Sequence, residues 1–179
     1  MRKIVFSSIL AIAVIAISCN SVNSKKEKIA NIEKEISSSK MTKFDDAKAE
    51  KLIALYTDFV KENPKDTIAP TYLFRSADLY VALNRGNMAI NQLDKIITGY
   101  PTYKKIPDCY FLKAFIAENT LHHLSLADKF YKTFLEEFPT HSLAKDAEAS
   151  RNNLGKSPEQ LIVEFEAKQD SISKLELKK

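Results

Sequence analysis

Glycine is nearly missing from this chain. Its 179 residues contain three, Gly86, Gly99 and Gly155. That scarcity argues against a turn-rich β fold and leaves no glycine loop to cradle a phosphate. Tryptophan is absent, so the side chain best suited to stacking on a sugar ring is not available. Cysteine occurs twice, at Cys19 and Cys109. Charge of one sign is not in excess either. Setting Arg2 and Lys3 aside leaves 25 basic against 23 acidic residues, too even a balance to follow a nucleic-acid backbone. There is no Gly-x-Ser-x-Gly elbow and no His-Glu-x-x-His pair. His122 and His123 are adjacent in a turn signal and His141 follows Pro139, and none has a second ligand pair at zinc-like spacing. No catalytic set, metal site or cofactor site is therefore expected.

What is present is helix-forming. The chain is 45% apolar and 28% charged, rich in Ala, Leu, Lys and Glu. Its six prolines all stand at element borders. Pro64, Pro101 and Pro139 recur at a spacing of about 37 residues, each closing an apolar run of helical period. Twelve residues before them stand Leu52, Ala89 and Ala127, eight before stand Tyr56, Leu93 and Tyr131, and four before stand Val60, Ile97 and Leu135. A unit repeated at this length predicts stacked helix pairs, an architecture that displays a surface.

Thr42 with Asp45 fits a capping box, predicting a helix from near Lys43 to Glu62. Pro70 and Pro107 open the next two first helices, six residues after the preceding stop. The first of these carries Leu73, Ala77, Tyr80 and Leu83, and its partner Ala89, Leu93, Ile96 and Ile97. The following pair carries Tyr110, Phe111, Ala114 and Ala117, then Ala127, Phe130, Tyr131, Phe134 and Leu135. Residues Ser142–Leu154 read as another helix ended by Gly155. Ser157-Pro158 starts a last helix, whose Leu161, Ile162, Phe165, Ile172 and Leu175 are expected to dock as a cap. The N-terminal unit lacks a recognisable first helix.

The N-terminus has its own signature. Arg2 and Lys3 precede the apolar stretch Ile4–Ile17, too short to span a bilayer comfortably and matched to a signal-peptide core. Ala16-Ile17-Ser18-Cys19 resembles the lipobox of bacterial lipoproteins, with Ala16 where a branched residue is usual. The resemblance implies cleavage after residue 18 and a covalent lipid on Cys19, the one cofactor-like group expected. Asn20, in place of the Asp that retains lipoproteins at the inner membrane, implies the outer membrane, facing the periplasm. Residues 19–42 are rich in Ser, Lys and Glu and read as a flexible lipidated tether. Within it Ile29, Ile32 and Ile36 make a frayed amphipathic helix the expectation. Cys109 is read as a buried small apolar residue.

The helix pairs resemble tetratricopeptide repeats. The family's small, aromatic and proline positions match Ala77, Tyr80, Ala89, Leu93 and Pro101 in one unit, and Ala114, Ala117, Ala127, Tyr131 and Pro139 in the next. Asn84 stands where glycine is frequent. The resemblance implies an all-α fold: a short right-handed α-solenoid over residues 43–155, followed by a C-terminal capping helix and tail over 156–179. It also implies binding on the concave face of the first helices, which by position includes Phe74, Asp78, Val81, Phe111, Phe115 and Glu118. Packing between helices is the alternative for Phe111 and Phe115. The run Phe134-Leu135-Glu136-Glu137-Phe138-Pro139 is similar to the cell-envelope branch of the family, which includes the outer-membrane lipoprotein BamD and the periplasmic protein YbgF. The implied function is a non-enzymatic protein-interaction scaffold, lipid-anchored in the bacterial envelope, with protein partners and no nucleic acid. The alternative is a lipoprotein that binds a small ligand or glycan.

Overall fold

The computed structural model describes residues 22–37 and 45–176. Cys19, the signal segment and Thr42 lie outside the described residues. The chain is all-helical: α1 (22–37), α2 (Asp46–Glu62), α3 (Ala69–Ala82), α4 (Gly86–Gly99), α5 (Ile106–Asn119), α6 (Leu124–Glu137), α7 (Ala144–Asn153) and α8 (Pro158–Glu176). Two compact units divide it, Met1–Tyr103 and Lys104–Lys179.

The proline frame is a repeated piece of backbone. Asn63, Tyr100 and Phe138 end α2, α4 and α6 with nearly the same dihedrals, φ −128, −136 and −134. Each donates its N–H to the carbonyl four residues back, on Phe59, Ile96 and Phe134. Proline in the next position prevents helical geometry at the cap. Each cap carbonyl then accepts from the N–H three residues on, of Asp66, Tyr103 and His141. In the first and third links a side chain finishes the turn: Asp66 Oδ1 accepts from Ile68 N at 3.0 Å, and His141 Nδ1 from Leu143 N at 3.3 Å. The third link thus makes α7 the opening helix of a further unit.

Within pairs, small residues let the helices close up. Ala77 and Ala89 are fully buried in the first unit, as are Ala114, Ala117 and Ala127 in the second. Leu93, Ile96, Tyr131 and Phe134 fill the remaining space and are fully buried too. Cys109 is buried without a disulfide, as expected of a small apolar residue. The turns between helices need a left-handed residue. Asn84 supplies it at φ 57 and His122 at φ 51. Asparagine tolerates this region, so it replaces the glycine of the resemblance without strain.

The largest departure from expectation is α1. Residues 22–37 are no frayed tether. Ile29 is 1% exposed and Ile32 8%, packed with Leu52, Tyr56, Phe59 and Tyr72, and Val22 and Ile36 pack at the margin. α1 is therefore the first helix that the N-terminal unit was short of. Two buried isoleucines contribute about 2 kcal/mol each. Around them run four ion pairs: Lys25–Glu62, Lys26–Asp66, Lys48–Glu35 and Arg75–Glu33. Their side chains are partly exposed, so each adds under about 1 kcal/mol and fixes register more than it stabilises.

α2 starts later than the sequence reading places it, and α8 starts where expected. α2 begins at Asp46 with Asp45 as its N-cap, the carboxylate accepting from Lys48 N at 3.0 Å. Asp45→Ala is expected to cost about 1 kcal/mol in a denaturant titration. α8 starts on a reciprocal cap: Ser157 Oγ accepts from Gln160 N, and Gln160 Oε1 from Ser157 N. Three of its apolar side chains, however, are exposed. Ile162 is 57% exposed, Val163 63% and Phe165 63%. Of the residues expected in the cap, Ile162 and Phe165 are thus open to solvent and Leu161 is half-buried, while the side chains of Ile172 and Leu175 lie outside the described ones. Gly155, at φ +75 after α7, redirects the chain there, and a Cβ at this position would meet Leu124 Cδ1 at 3.0 Å.

Candidate functional site

α1, α2 and α3 wall a groove in the first unit. Its volume is about 570 Å³. Leu52 and Tyr56 come from α2, Arg75, Asp78 and Leu79 from α3, and Ala30, Glu33, Lys34 and Ile36 from α1. The helical period explains the set. Residues 30, 33, 34 and 37 of α1, and 75, 78 and 79 of α3, each lie on one face. Apolar side chains make the floor and charged ones the rim.

Glu33 organises the polar part. Its Oε1 accepts from Tyr56 Oη and from Arg75 Nη1, both at 2.5 Å. Tyr56 is 2% exposed and stacks on Tyr72 at 4.9 Å. Burial, then the hydrogen bond to Glu33, push its hydroxyl far above the ordinary tyrosine value. Tyr56 therefore keeps its proton across the physiological range and acts as a donor that orients Glu33, not as a base. Asp66, at the far end of α1, goes the other way. Burial alone would raise its carboxyl, but the Lys26 ammonium at 2.7 Å and the Ile68 N–H hold it below the usual carboxylate range.

The sign for Tyr56 follows from its raised folded value. The stabilisation is complete below the unfolded phenol's pKa of about 10 and is lost as pH rises above it. Tyr56→Phe is expected to cost about 1 kcal/mol at neutral pH and to flatten the alkaline fall in stability. Urea titrations from pH 8 to 11 would check it, and an unchanged alkaline slope would refute it.

The second unit repeats the device. Tyr131, eight residues before its proline as Tyr56 is before its own, donates its hydroxyl to Glu118 Oε2 at 2.7 Å. Its pKa is raised by burial first and by Glu118 next. Leu93 holds this place in the intervening pair and has no hydroxyl to offer.

The six residues expected in one binding face are divided between the two units. Phe74, Asp78 and Val81 fall in the first unit, and Phe111, Phe115 and Glu118 in the second. Asp78 lines the groove, while Phe74 and Val81 are half-buried and do not. Phe111 is an internal packing residue, edge-on to Tyr131 at 5.8 Å and to Phe134 at 5.6 Å. Glu118 serves Tyr131. Of Phe74, Phe111 and Phe115, Phe115 is the most open, at 42%. The sequence reading missed Glu33, Arg75 and Tyr56 as a set because α1 was assigned to a tether. The Ile29-Ile32-Ile36 spacing was the signal that could have found them.

His123 and His141 both have structural work: Nδ1 of each accepts a backbone N–H, from Leu126 and Leu143. Among the described residues, no group of three or more His, Cys, Asp and Glu side chains is placed to hold a metal. Among the described residues no helix is long and apolar enough to cross a membrane. No protein-family model matches the chain, and no curated protein matches it.

Proposed function

We propose that this chain is a lipid-anchored interaction scaffold of the bacterial cell envelope, built on tetratricopeptide-like helix pairs. The observation that carries the binding role is the groove walled by α1, α2 and α3, with an apolar floor and the Glu33–Arg75–Asp78 rim. Arg75 is 46% exposed in its side chain and keeps guanidinium donors beyond the one given to Glu33. An apolar side chain flanked by a carboxylate, presented by a protein segment, is the complementary shape. Cys19 and the apolar segment before it support the anchor, and Asn20 supports the outer membrane. A tyrosine that holds its proton, and polar groups that satisfy one another, support a role in holding over one in turnover.

Two measurements test this. Photo-crosslinking from residue 78 in intact cells should capture envelope proteins, and Arg75→Ala should reduce capture several-fold. Cys19→Ala should move the chain out of the membrane fraction. Retention of that variant in the outer membrane would sink the anchor, and capture insensitive to Arg75 would sink the groove.

The groove's volume also lies in the range of small-ligand pockets, which keeps a glycan or metabolite as the second reading. A thermal shift on adding oligosaccharides to the purified chain would favour it.

A further inference from the structure

The two tyrosine–glutamate hubs start alike and are finished differently. In the first unit Glu33 accepts from Tyr56 and also from Arg75. Arg75 stands eleven residues after Pro64, on the first helix of the next pair, and reaches back to the hub. The chain thus supplies its own cation there. In the second unit Glu118 accepts from Tyr131 at 2.7 Å and has no ion pair among the described residues. The residue eleven after Pro139 is Ser150, which sits against the Tyr131 hydroxyl and brings no charge. Its neighbour Arg151 is committed to Asp128 at 2.7 Å. Lys113 of α5 lies over the Phe130 ring at 4.4 Å.

What stands beside Glu118 differs too. Phe111, Phe115 and Glu118 follow one another on α5 at steps of four and three, so they share a face. Phe111 and Glu118 both touch Tyr131, one by its ring and one by the hydroxyl. Phe115 lies between them along the helix and is 42% exposed. The matching place three residues before Glu33 is Ala30. The first unit therefore has a methyl group and a guanidinium of its own. The second has an open aromatic ring, a small hydroxyl and a carboxylate without a counter-ion.

We infer that the Glu118–Tyr131 hub takes an arginine side chain from another polypeptide, its guanidinium paired with Glu118 and its plane on the Phe115 ring. The first unit is the template, since there an arginine of the chain itself completes the same hub. A guanidinium can pair with a carboxylate and stack on a ring at once, whereas an ammonium is compact and strongly hydrated. The bond to a half-buried carboxylate is charge-assisted on both sides. One carboxylate and one phenol are too few ligands for a metal ion. This site lies apart from the groove walled by α1, α2 and α3, and it depends neither on that groove nor on a lipid at Cys19.

The test uses the full chain, labelled with nitrogen-15, in detergent micelles. The probe is arginine blocked at both ends, N-acetyl-arginine methylamide. The expected result is saturable shifts in the amide signals of residues 115–119 and 148–151. Blocked citrulline keeps the shape without the charge and should give none, and blocked lysine should bind roughly ten-fold more weakly. Glu118→Gln leaves Tyr131 an acceptor and removes the charge, so binding should fall roughly ten-fold. Ser150→Arg recreates the arrangement of the first unit and should abolish binding by filling the site from within. If Glu118→Gln fails to fold, Ser150→Arg still carries the test. Binding that survives Ser150→Arg overturns the inference, as does a parent chain without saturable shifts. Equal binding of citrulline or lysine overturns the assignment to a guanidinium. Tighter binding of free arginine than of the blocked form overturns its assignment to a polypeptide. Shifts confined to residues 30–37 would place the guanidinium in the first unit and overturn it as well.

Discussion

Ile29→Ala should destabilise the first unit by about 3 kcal/mol, read as a drop in the urea midpoint at unchanged slope. The side chain is 1% exposed and sits among Leu52, Tyr56, Phe59 and Tyr72, which belong to two other helices and cannot collapse to fill the void. The loss has two parts, the transfer of the deleted carbons and the cavity left behind. The control is Glu35→Ala on the same helix. Its carboxylate pairs with Lys48 at 3.3 Å, but the two side chains are 58% and 42% exposed, so the change should cost under about 1 kcal/mol. If both variants matched the parent, α1 would be an appendage and the groove would lose a wall. If Glu35→Ala were the worse of the two, ion pairing would outweigh packing, against the argument from burial.

A comparable loss is expected from Phe134→Ala in the second unit, about 4 kcal/mol. Phe134 is fully buried, with Phe111, Phe138 and His141 rings at 5.6, 5.8 and 5.8 Å. It also gives its carbonyl to the Phe138 cap. Truncation empties the middle of an aromatic cluster and leaves the cap bond intact, so the backbone turn at Pro139 should persist. Differential scanning calorimetry would register the lower melting point. A change in the helical dichroism of the folded protein would mean that the ring sets local structure as well as packing.

What could be read from the chain beforehand was what proline and small residues impose locally. Pro64, Pro101 and Pro139 act on the residue beside them, so their effect does not wait for tertiary context, and all three caps have the expected form. The buried alanines were legible for a related reason, since their positions follow from the repeat. α1 was not. Its three isoleucines lie among lysines, serines and glutamates, and composition alone says that such a stretch buries too little to fold. It folds because α2 and α3 offer a surface with Phe59, Tyr56 and Tyr72 already in place. The phenylalanines show the same limit at finer scale. Phe111 and Phe115 are one turn apart on α5, yet one packs edge-on against Tyr131 and Phe134 and the other is 42% exposed. Periodicity identifies a face, and only the neighbouring helix decides how far along that face the cover extends. For α8 the periodicity was visible, yet among the described residues Ile162 and Phe165 stay exposed.

The docking of α1 also sets a length. Read as a tether, residues 19–42 would let a body on an anchored Cys19 wander roughly 80 Å from the bilayer, at about 3.5 Å per extended residue. With residue 22 already in the packed helix, a lipid on Cys19 would leave at most three such steps, about 10 Å. That is close to one Debye length at physiological ionic strength. The first unit would be moored rather than leashed: its orientation would be restricted and its groove held at a nearly constant height. Any partner would have to present its segment close to the headgroups, within the membrane's own electrostatic field.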